Sequence, residues 1–465
     1  MKLNSLHLKN YRCFANLQVE LHPQLTVFVA ENGEGKSTLL DAIRIALWPF
    51  VSSFDLAHNT FNDPGNAVAI DDVRLIRLPN GDMARQLPCS VTTTGNYGDG
   101  GERTWVRYRD KEAKLTKTKD DGDMARLKKW AAGLQTSVRS DGQPHVNLPV
   151  FGYYGTGRLW AQKRLTETSR TRGETPKTDF YIRTFAYLNC LDPASSFKHF
   201  KEWYVWAFES YRESQIKLIE GKADDQQVRQ LKAPVLVIQQ AIDAFLKPIT
   251  GWHSLEYSVS NQKSLTLQHD EFGTLKVDML SDGIRSILAT VGDIAYRCVK
   301  LNPHLGDRAA LESKGVVLID EVDMHLHPSW QQLILQQLAQ TFPLIQFIVT
   351  THSPQVLSTV TRENIRIIRR HAGGYEAAMP DFSPLAHEAG DALSQVMGTH
   401  TRPDLPVLGK VREFEQLVRS GQEQSVPAVN LLQEIQAAGY QIPESDLTTW
   451  RFLASRKSNG VNHRG

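Results

Sequence analysis

One run of the sequence combines two glycines, a lysine and two hydroxyl side chains: Asn32, Gly33, Glu34, Gly35, Lys36, Ser37 and Thr38. A short apolar stretch, residues 25–29, precedes this run, and a helix with apolar periodicity follows it. A phosphate-binding loop requires this order of strand, loop and helix, because its backbone N–H groups and the helix N-terminus face phosphate oxygens. We expect the run to line a nucleotide, with Lys36 on the β- and γ-phosphates and Ser37 helping to hold Mg²⁺. The run therefore predicts ATP and Mg²⁺ as ligands.

The first position of the phosphate-loop pattern, GxxxxGK followed by Ser or Thr, departs from the consensus. Ala30 stands there in place of glycine. Alanine can enter such a loop as long as its φ stays negative, because only a positive φ favours glycine strongly. We therefore interpret the run as a variant phosphate loop.

Two adjacent carboxylates, Asp320 and Glu321, end the apolar stretch 315–319. Such a stretch is typical of a central parallel strand that is covered on both faces, and ligands gather at the carboxyl ends of such strands. We expect Asp320 to hold Mg²⁺, directly or through water, and Glu321 to orient and deprotonate the attacking water. His352 stands just past a further apolar stretch, residues 344–349, so it is expected at the same edge.

Ser281 stands where the N-cap of a strongly periodic helix belongs, and Gly283 lies in the first turn of that helix. The serine hydroxyl and the first amides of the helix favour an anion at this helix start. Taken alone, the segment is an ordinary capped helix.

In their order along the chain, these motifs resemble those of ABC ATPase heads. The segment from Asn10 to Phe14 resembles the opening of the RecF and SMC-like branch, and Leu280-Ser-Asp-Gly resembles the ABC signature. The resemblance implies that Arg12 lies near the nucleotide, although a solvated arginine at the end of a strand is an equal alternative. It also implies that His352 is the switch histidine that contacts the γ-phosphate.

In the same superfamily the signature contacts a γ-phosphate that is held by a second subunit. The resemblance thus gives Ser281 and Gly283 this role. Because the sequence has one phosphate loop and one signature, the active unit would need at least two chains, with two ATP molecules at their interface.

The resemblance implies an α/β fold, a P-loop NTPase of the ABC/SMC-like head type. We expect a mixed, largely parallel sheet, an antiparallel N-terminal part, an inserted helical lobe and a C-terminal helical extension. No sustained apolar heptads support a long coiled-coil arm, so the lobe should be compact, with its helical pattern interrupted at Pro234 and Trp203 in its core. The expected boundaries are 1–180 for the N-terminal part of the head, 181–250 for the lobe, 251–377 for the C-terminal part of the head and 378–465 for the extension.

The composition is that of a globular protein. The 465 residues have a net charge of +2, which argues against a strongly basic polyanion binder but allows a local basic patch. The four cysteines lie far apart without zinc spacing, and we find no long apolar run and no secretory leader. We therefore expect a reduced, cytoplasmic protein that does not interact with a membrane.

Three polar segments were considered as possible functional sites. Residues 158–177 carry six Lys or Arg against two Glu, and they could touch a nucleic-acid backbone or be a solvated loop. The resemblance to ABC heads makes Gln162 the nearest candidate for the glutamine of the loop that senses nucleotide, but it is not assigned. Arg158, in a segment that resembles bacterial defence ATPases, has a functional role or is equally a plain loop arginine. A second basic cluster, Arg366 to His371, is expected to be solvated. His325 and His327 invite a metal, but no third ligand follows at a fixed spacing. The segment resembles the loop after Walker B in defence and OLD-like ATPases, which implies a loop through which dimer halves communicate, and Pro328 should start the next helix.

Several segments together resemble the ATPase subunit PtuA of Septu-type anti-phage systems, which is also found beside some retrons: YYGTGRLW, DEVDMHLHPSWQ, TTHSP and the run from Gly390 to Gly398. This resemblance implies a homodimer or higher homo-oligomer, a PtuB-like HNH nuclease as partner and control of that nuclease by nucleotide state. We find no TOPRIM or HNH pattern in the chain, so a nuclease site is expected on another polypeptide. A RecF-like DNA repair ATPase that acts on DNA by itself is the alternative. A transporter nucleotide-binding domain does not fit the long insertion.

Overall fold

The computed structural model describes residues 1–57, 64–98, 100–113, 117–140, 145–157, 181–193, 196–400 and 403–461, in two compact units, Met1–Thr399 and His400–Gly465. Its strands are β1 (Lys2–Tyr11), β2 (Phe14–Glu20), β3 (Leu25–Val29), β4 (Leu75–Arg77), β5 (Met83–Arg85), β6 (Cys89–Asn96), β7 (Glu102–Arg109), β8 (Lys119–Gly122), β9 (Val150–Tyr154), β10 (His253–Ser258), β11 (Ser264–His269), β12 (Gly273–Lys276), β13 (Gly315–Ile319), β14 (Ile345–Thr350), β15 (Ile365–His371) and β16 (Gly374–Ala378). Its α-helices are α1 (Lys36–Val51), α2 (Met124–Arg139), α3 (Ser196–Ile219), α4 (Asp225–Thr250), α5 (Asp282–Leu301), α6 (Ala309–Glu312), α7 (Pro328–Gln331), α8 (Ile334–Thr341), α9 (Pro354–Leu357), α10 (Ala389–Asp391), α11 (Pro406–Arg419), α12 (Val426–Ala437) and α13 (Glu444–Val461).

A six-stranded sheet in the order β16-β15-β3-β14-β13-β9 lies at the centre of the first unit. The strands from β15 to β9 are parallel, and β16 is antiparallel to β15. Every residue of β9, β13 and β14 is buried, which agrees with their continuous apolar sequences. The predicted mixed, largely parallel sheet of an α/β P-loop ATPase is confirmed.

Two neighbouring tyrosines at the end of β9 show which helix covers which face of this sheet. The Tyr153 hydroxyl donates a hydrogen bond to Asp41 in α1 at 3.3 Å, and the Tyr154 hydroxyl donates one to Asp293 in α5 at 2.8 Å. Because successive side chains of a strand point to opposite faces, α1 and α5 lie on opposite faces of the sheet.

A second, antiparallel sheet has the order β2-β1-β6-β7-β8. The side-chain amide of Gln346, which is fully buried in β14, joins it to the central sheet by accepting from the N–H of Leu3 and donating to its carbonyl, at 2.8 and 2.7 Å. The antiparallel N-terminal part predicted from the sequence is therefore present.

The helices α3 and α4 form the helical hairpin expected in the middle of the chain. Trp203 in α3 is buried and packs on Tyr296 of α5, with ring centroids 5.1 Å apart, so its predicted role in the core is confirmed. The expectation that Pro234 interrupts the helix was wrong, because α4 continues through it. A proline inside a helix removes one N–H donor, and the buried apolar face of α4, which includes Val235, Ile238 and Ile242, offsets that loss.

The three-stranded antiparallel sheet β10-β11-β12 leads directly into α5, as the sequence pattern predicts. In the second unit, α11, α12 and α13 enclose an apolar core that includes Val411, Phe414 and Ile435. The C-terminal extension was expected to be helical, and these three helices agree with that expectation. None of the described helices combines the length and the apolar character that a membrane crossing requires.

Candidate nucleotide-binding site

The phosphate loop connects the end of β3 to the start of α1. Gly33 and Gly35 have φ values of 84° and 89°, which lie in the left-handed region, whereas Ala30 keeps a negative φ. Alternation of this kind turns successive backbone N–H groups towards a common concavity that suits an anion. The alanine at the first consensus position is thus compatible with the loop.

Gly35 is also fixed by a close approach to the turn between β1 and β2. A Cβ at this position would lie 2.6 Å from the ring of Phe14 and 2.9 Å from the Sγ atom of Cys13. Such distances are too short for non-bonded atoms, so both the space and the backbone conformation require glycine here.

The Lys36 ammonium group lies inside this loop. It donates hydrogen bonds to the carbonyl oxygens of Ala30 at 2.8 Å and Glu31 at 3.1 Å. Burial lowers the pKa of Lys36, and the nearby carboxylates of Asp320 and Glu321 oppose that shift. The lysine is therefore held in the loop, at the same edge of the sheet as the carboxylates that follow β13.

Thr350, at the end of β14, organises the two carboxylates that follow β13. Its hydroxyl donates to Asp320 Oδ1 at 2.6 Å and accepts the N–H of Glu321 at 2.8 Å. The N–H of Asp320 in turn donates to the carbonyl of Tyr154 at 2.8 Å. Thr350 therefore fixes the buried carboxylate of Asp320, and Tyr154 fixes its backbone.

Glu321 has a φ of 47°, which is rare for a residue with a side chain. Such a conformation costs about 1–3 kcal/mol and occurs where the surrounding structure holds it in place, often at functional sites. Here the bond to Thr350 holds it, and the strand direction is broken directly after Asp320. The backbone therefore gives the two adjacent carboxylates different directions.

His352 follows β14 at the same edge of the sheet. Burial lowers its pKa, the charge of Lys36 lowers it further, and the carboxylates of Asp323, Glu321 and Asp320 oppose the shift. Asp323 is fixed separately, since the Thr351 hydroxyl donates to its Oδ1 at 2.5 Å. These electrostatic effects place His352 within range of the lysine and all three carboxylates.

Arg12 is partly exposed, and its guanidinium is held by two carboxylates. Its guanidinium donates to Asp41 Oδ2 in α1 at 2.7 Å and to Asp72 Oδ1 at 2.8 Å, while its backbone has a φ of 48°. The structure therefore links Arg12 to the helix that begins with Lys36. Arg366 was also expected to be solvated, but it is buried and donates to the carbonyl of Glu20 at 2.7 Å, because its strand is covered there.

The start of the signature helix lies elsewhere on this edge. The Ser281 side chain accepts the N–H of Ile284 at 3.5 Å, so its predicted role as the N-cap is present. A Cβ on Gly283 would lie 2.7 Å from the carbonyl oxygen of His325 and 3.2 Å from the ring of Trp330. Within one chain, Gly283 therefore contacts the loop that follows Asp320 and Glu321.

The loop between β13 and α7 is organised by its own histidines. His325 has a φ of 64°, and His327 is the N-cap of α7, where its Nδ1 accepts the N–H of Ser329 at 3.3 Å. Pro328 begins that helix, as predicted. The described residues contain no cluster of three or more His, Cys, Asp or Glu that could hold a metal ion.

Several residues that shape the site have no counterpart among the sequence predictions. They are Thr350, Asp41, Tyr153 and Tyr375. Burial and a hydrogen bond with Glu34 raise the pKa of Tyr375 to about 12. The TTH run carries a weak signal for Thr350, but nothing in the sequence pairs Tyr375 with the phosphate loop. Arg158, Gln162 and the basic segment 158–177 lie outside the described residues.

The residues of the site fit a nucleotide with Mg²⁺. The open concavity above Gly33, where an added Cβ would meet no atom within 4 Å, leaves room for phosphate oxygens. The Lys36 ammonium supplies the matching charge. The exposed Ser37 hydroxyl and the Asp320 carboxylate are oxygen ligands of the kind that Mg²⁺ prefers.

Comparison with known families agrees with this geometry. An AAA domain family matches residues 5–243, slightly more than half of the chain. A second family, described as an AAA domain, putative AbiEii toxin, Type IV TA system, matches residues 171–358.

Individual proteins and structures are also similar. The retron Vc95 probable ATPase of Vibrio cholerae serotype O1 biovar El Tor is 28% identical over 466 residues, with 91% of this chain and 84% of that protein covered. The Septu protein PtuA of Bacillus mycoides (strain KBAB4) is 44% identical over 79 residues, which are 17% of this chain and 10% of that protein. The SMC head domain from Thermotoga maritima is 15% identical with a TM-score of 0.40, with 82% of this chain and 100% of that chain covered.

Proposed function

The chain belongs to the AAA domain family, as an ABC/SMC-like ATPase of the RecF/OLD type, and from this premise we propose that it is the ATP-hydrolysing regulatory subunit of an anti-phage defence complex. In this proposal, pairs of chains bind ATP at their interface and control a partner nuclease of the HNH class.

One observation carries the catalytic part of the proposal. Lys36, Asp320 and Glu321 and the imidazole of His352 stand at the carboxyl ends of three adjacent parallel strands, β3, β13 and β14, and they are close enough for their charges to affect one another. Ligands of such sheets bind at this edge. Opposite charges in this arrangement suit a polyphosphate with a divalent cation.

Each side chain then has a distinct task. Lys36 binds the β- and γ-phosphates, Ser37 and Asp320 hold the Mg²⁺ that neutralises phosphate charge, and Asn32 to Thr38 provide the surrounding amides. Glu321, turned away from Asp320 by its left-handed backbone, takes the proton of the attacking water. Burial and the charge of Lys36 lower the pKa of His352, which favours its neutral form as a hydrogen-bonding partner of the γ-phosphate.

A second copy of the chain completes this site. Gly283, in the first turn of the signature helix, packs against the carbonyl of His325 in the loop after Glu321. A two-fold arrangement brings the signature helix of each copy to the phosphate loop of the other, because a contact made by identical surfaces is reciprocal. In this proposal, ATP binding and assembly of the two chains are coupled.

Control of a nuclease is supported by resemblance. The relatives named above include a retron ATPase over most of the chain and PtuA over a short segment. PtuA-like ATPases are expected to act with a PtuB-like HNH protein, and nucleic acid is a further candidate ligand of the complex. Opening and closing of the ATP-bound pair provides the signal in this proposal.

Affinity purification of the tagged full-length chain from its native host tests this role. Wild type, Glu321→Gln and Lys36→Ala are purified in parallel, and bound proteins are identified by mass spectrometry. We expect one small HNH protein with the wild type, with a yield that differs between the two variants because one retains ATP and the other does not. Repeated recovery of no HNH protein, together with ATP-dependent DNA binding by the purified chain, would favour the RecF-like alternative.

A further inference from the structure

A small pocket lies between the helical hairpin and the C-terminal end of α5, and we call it the tryptophan pocket. Its volume is about 210 Å³, and its apolar walls come from α3, α4 and α5 and include Trp203, Trp206, Leu231, Pro234 and Val299. Pockets that enclose a whole small-molecule ligand are usually larger, about 300–1,000 Å³. A single aromatic side chain, of the kind that anchors many protein interfaces, is a better match to this size.

The tryptophan pocket lies at the edge of the central sheet opposite the phosphate loop. The first turn of α5 contacts the loop after β13 through Gly283, and α5 then runs for 20 residues, or about 30 Å. Its C-cap, Asn302, accepts the N–H of Leu148 at 2.8 Å and donates to the carbonyl of Leu148 at 3.0 Å, just before β9 begins. The end of α5 is therefore at the amino ends of the parallel strands, whereas the proposed nucleotide site is at their carboxyl ends. An occupant of the tryptophan pocket leaves the nucleotide site open.

Two large apolar side chains are exposed beside this pocket. Tyr181 forms part of its wall and is 73% exposed, although its ring packs edge-on against Trp206 with the centroids 5.1 Å apart. The neighbouring Ile182 is 43% exposed. Exposed apolar side chains around an apolar pocket are typical of a surface that a partner covers.

Two basic side chains also line the pocket, Arg183 and Lys300. Arg183 donates from Nε to the carbonyl of Leu301 at 3.0 Å and from Nη2 to the carbonyl of Val146 at 2.7 Å. Its Nη1 donates to no residue in the described part of the chain, where Arg183 has no carboxylate partner either. Burial lowers the pKa of Lys300 to about 8, so its amine is mainly protonated at neutral pH. The pocket thus combines apolar walls with positive charge that suits a carboxylate.

A protein segment fits these features better than a nucleic-acid strand, which would also bring aromatic rings and negative charge. Strand binding depends on a groove that follows the backbone and on platforms that stack successive bases, whereas this pocket has the size of one ring. A carboxylate also matches the planar donors of Arg183. The features together favour an aromatic side chain that is flanked by Asp or Glu.

We propose that the tryptophan pocket is a docking site for a partner protein, and that it receives an aromatic side chain from an acidic segment of that partner. The ring packs between Trp206 and Leu231, and a neighbouring carboxylate accepts from Nη1 of Arg183. This inference goes beyond the proposed function, because it concerns the opposite edge of the sheet and holds for any activity of the partner.

A defined peptide tests the site on the full-length chain. The probe is a capped tripeptide of aspartate, para-fluorophenylalanine and aspartate, titrated into the millimolar range and followed by fluorine NMR. We expect saturable binding that is the same with and without ATP and Mg²⁺. Arg183→Gln should weaken it about tenfold, because a charge-assisted hydrogen bond is lost. Trp206→Leu should also weaken it, because the ring loses one wall of the pocket.

Controls separate the docking site from general effects. Arg308→Gln removes an exposed positive charge from the turn after α5, outside the pocket wall, and should bind the probe as the wild type does. Arg183→Lys retains the charge and should bind better than Arg183→Gln. Probes with lysine in place of both aspartates, or with alanine in place of the aromatic residue, should not bind. Melting temperatures of all variants show whether the fold is kept, and Trp206→Leu provides the test if Arg183→Gln does not fold.

The results that overturn the proposal are distinct. Absence of saturable binding, or equal binding of the lysine probe, excludes an acidic aromatic segment as the occupant. Equal affinity in the wild type and Trp206→Leu places the probe outside the tryptophan pocket. Saturable binding of a short oligothymidylate in place of the peptide, lost in Arg183→Gln, assigns the pocket to nucleic acid. Each of these results leaves the proposed ATP hydrolysis untouched, because that activity is measured without the probe.

Discussion

The Tyr154 hydroxyl donates a hydrogen bond of 2.8 Å to the carboxylate of Asp293, and both side chains are buried completely or nearly so. Arg297 donates to the same carboxylate at 2.7 Å and also to the carbonyl of Ala186. The backbone carbonyl of Tyr154 accepts the N–H of Asp320. One residue therefore connects the helix α5 to the strand end that is followed by Asp320 and Glu321.

Tyr154→Phe removes the hydroxyl donor and keeps the ring in place. We expect a loss of about 1.5–3 kcal/mol in the free energy of unfolding, because the buried Asp293 carboxylate loses one of its donors. The control is Tyr204→Phe, in which an equally buried hydroxyl loses its bond to the carbonyl of Leu255. Denaturant unfolding measures stability, and steady-state kinetics measure kcat and KM for ATP.

A positioning role for Tyr154 predicts more than a loss of stability. Its substitution should lower kcat with little change in KM, because α5 loses its hydrogen bond to the strand whose backbone carbonyl supports Asp320, while the phosphate loop stays intact. Tyr204→Phe should lower stability and leave kcat unchanged. Equal kcat values for the two variants would assign Tyr154 to folding only.

Lys36→Ala should weaken nucleotide binding itself. The ammonium group is the positive charge inside the loop, and hydrogen bonds to charged groups contribute about 1.5–3 kcal/mol, which corresponds to a loss of at least tenfold in affinity. Isothermal titration with ATP and Mg²⁺ measures the effect. Lys128→Ala, an exposed lysine on α2, is the control. If Lys36→Ala binds ATP with wild-type affinity, Lys36 does not contribute to nucleotide binding.

Glu321→Gln should retain ATP and lose hydrolysis. An amide keeps the size of the side chain but cannot accept the proton of the attacking water, so we expect kcat to fall by about 10²–10⁴. Glu363→Gln, at the opposite edge of the sheet near the start of β15, provides the matched control and should hydrolyse ATP at the wild-type rate. Phosphate release and ATP retention are measured on the same samples. Unchanged turnover would exclude Glu321 as the base.

The sequence predicts much of this arrangement because its strongest signals are local. Each of these signals lies within a short stretch of chain: the glycines around Lys36, the apolar strand before Asp320 and the N-cap at Ser281. The positions of Tyr154 and Asp293, or of Glu34 and Tyr375, depend on contacts between distant segments that no periodicity encodes. Arg366 was misjudged for the same reason, since the carbonyl of Glu20 that it binds comes from another sheet.

The titration of His352 provides a test of its environment. Burial and then the charge of Lys36 lower its pKa from the ordinary value of 6.5, so NMR titration of the imidazole should give a pKa below 6.5 in the full chain. Lys36→Met should raise that pKa, and Asp323→Asn should lower it further. A lower pKa of His352 in Lys36→Met, or a higher one in Asp323→Asn, would contradict the described geometry.

The sign of the effect on stability follows from the same shift. The folded state binds this proton more weakly than the unfolded chain does, so the contribution of His352 to the free energy of unfolding is fully present above pH 6.5. It is lost as the pH falls from 6.5 through the lower pKa of the folded state. His352→Gln should therefore reduce the pH dependence of stability in that window, as measured by urea unfolding at several pH values.

Gly283→Ala tests the contact between the signature helix and the loop after Glu321. The added Cβ would lie 2.7 Å from the carbonyl oxygen of His325, so either the helix start or the loop must move. We expect a loss of ATP hydrolysis and of the ATP-bound dimer, with ATP affinity of the single chain retained because the phosphate loop is untouched. The matched control is Gly133→Ala in α2, where an added Cβ meets no atom within 4 Å and the free energy of unfolding should rise by about 0.4–1 kcal/mol. If Gly283→Ala forms the ATP-bound dimer with normal affinity, the contact between the start of α5 and this loop is not required for dimerisation.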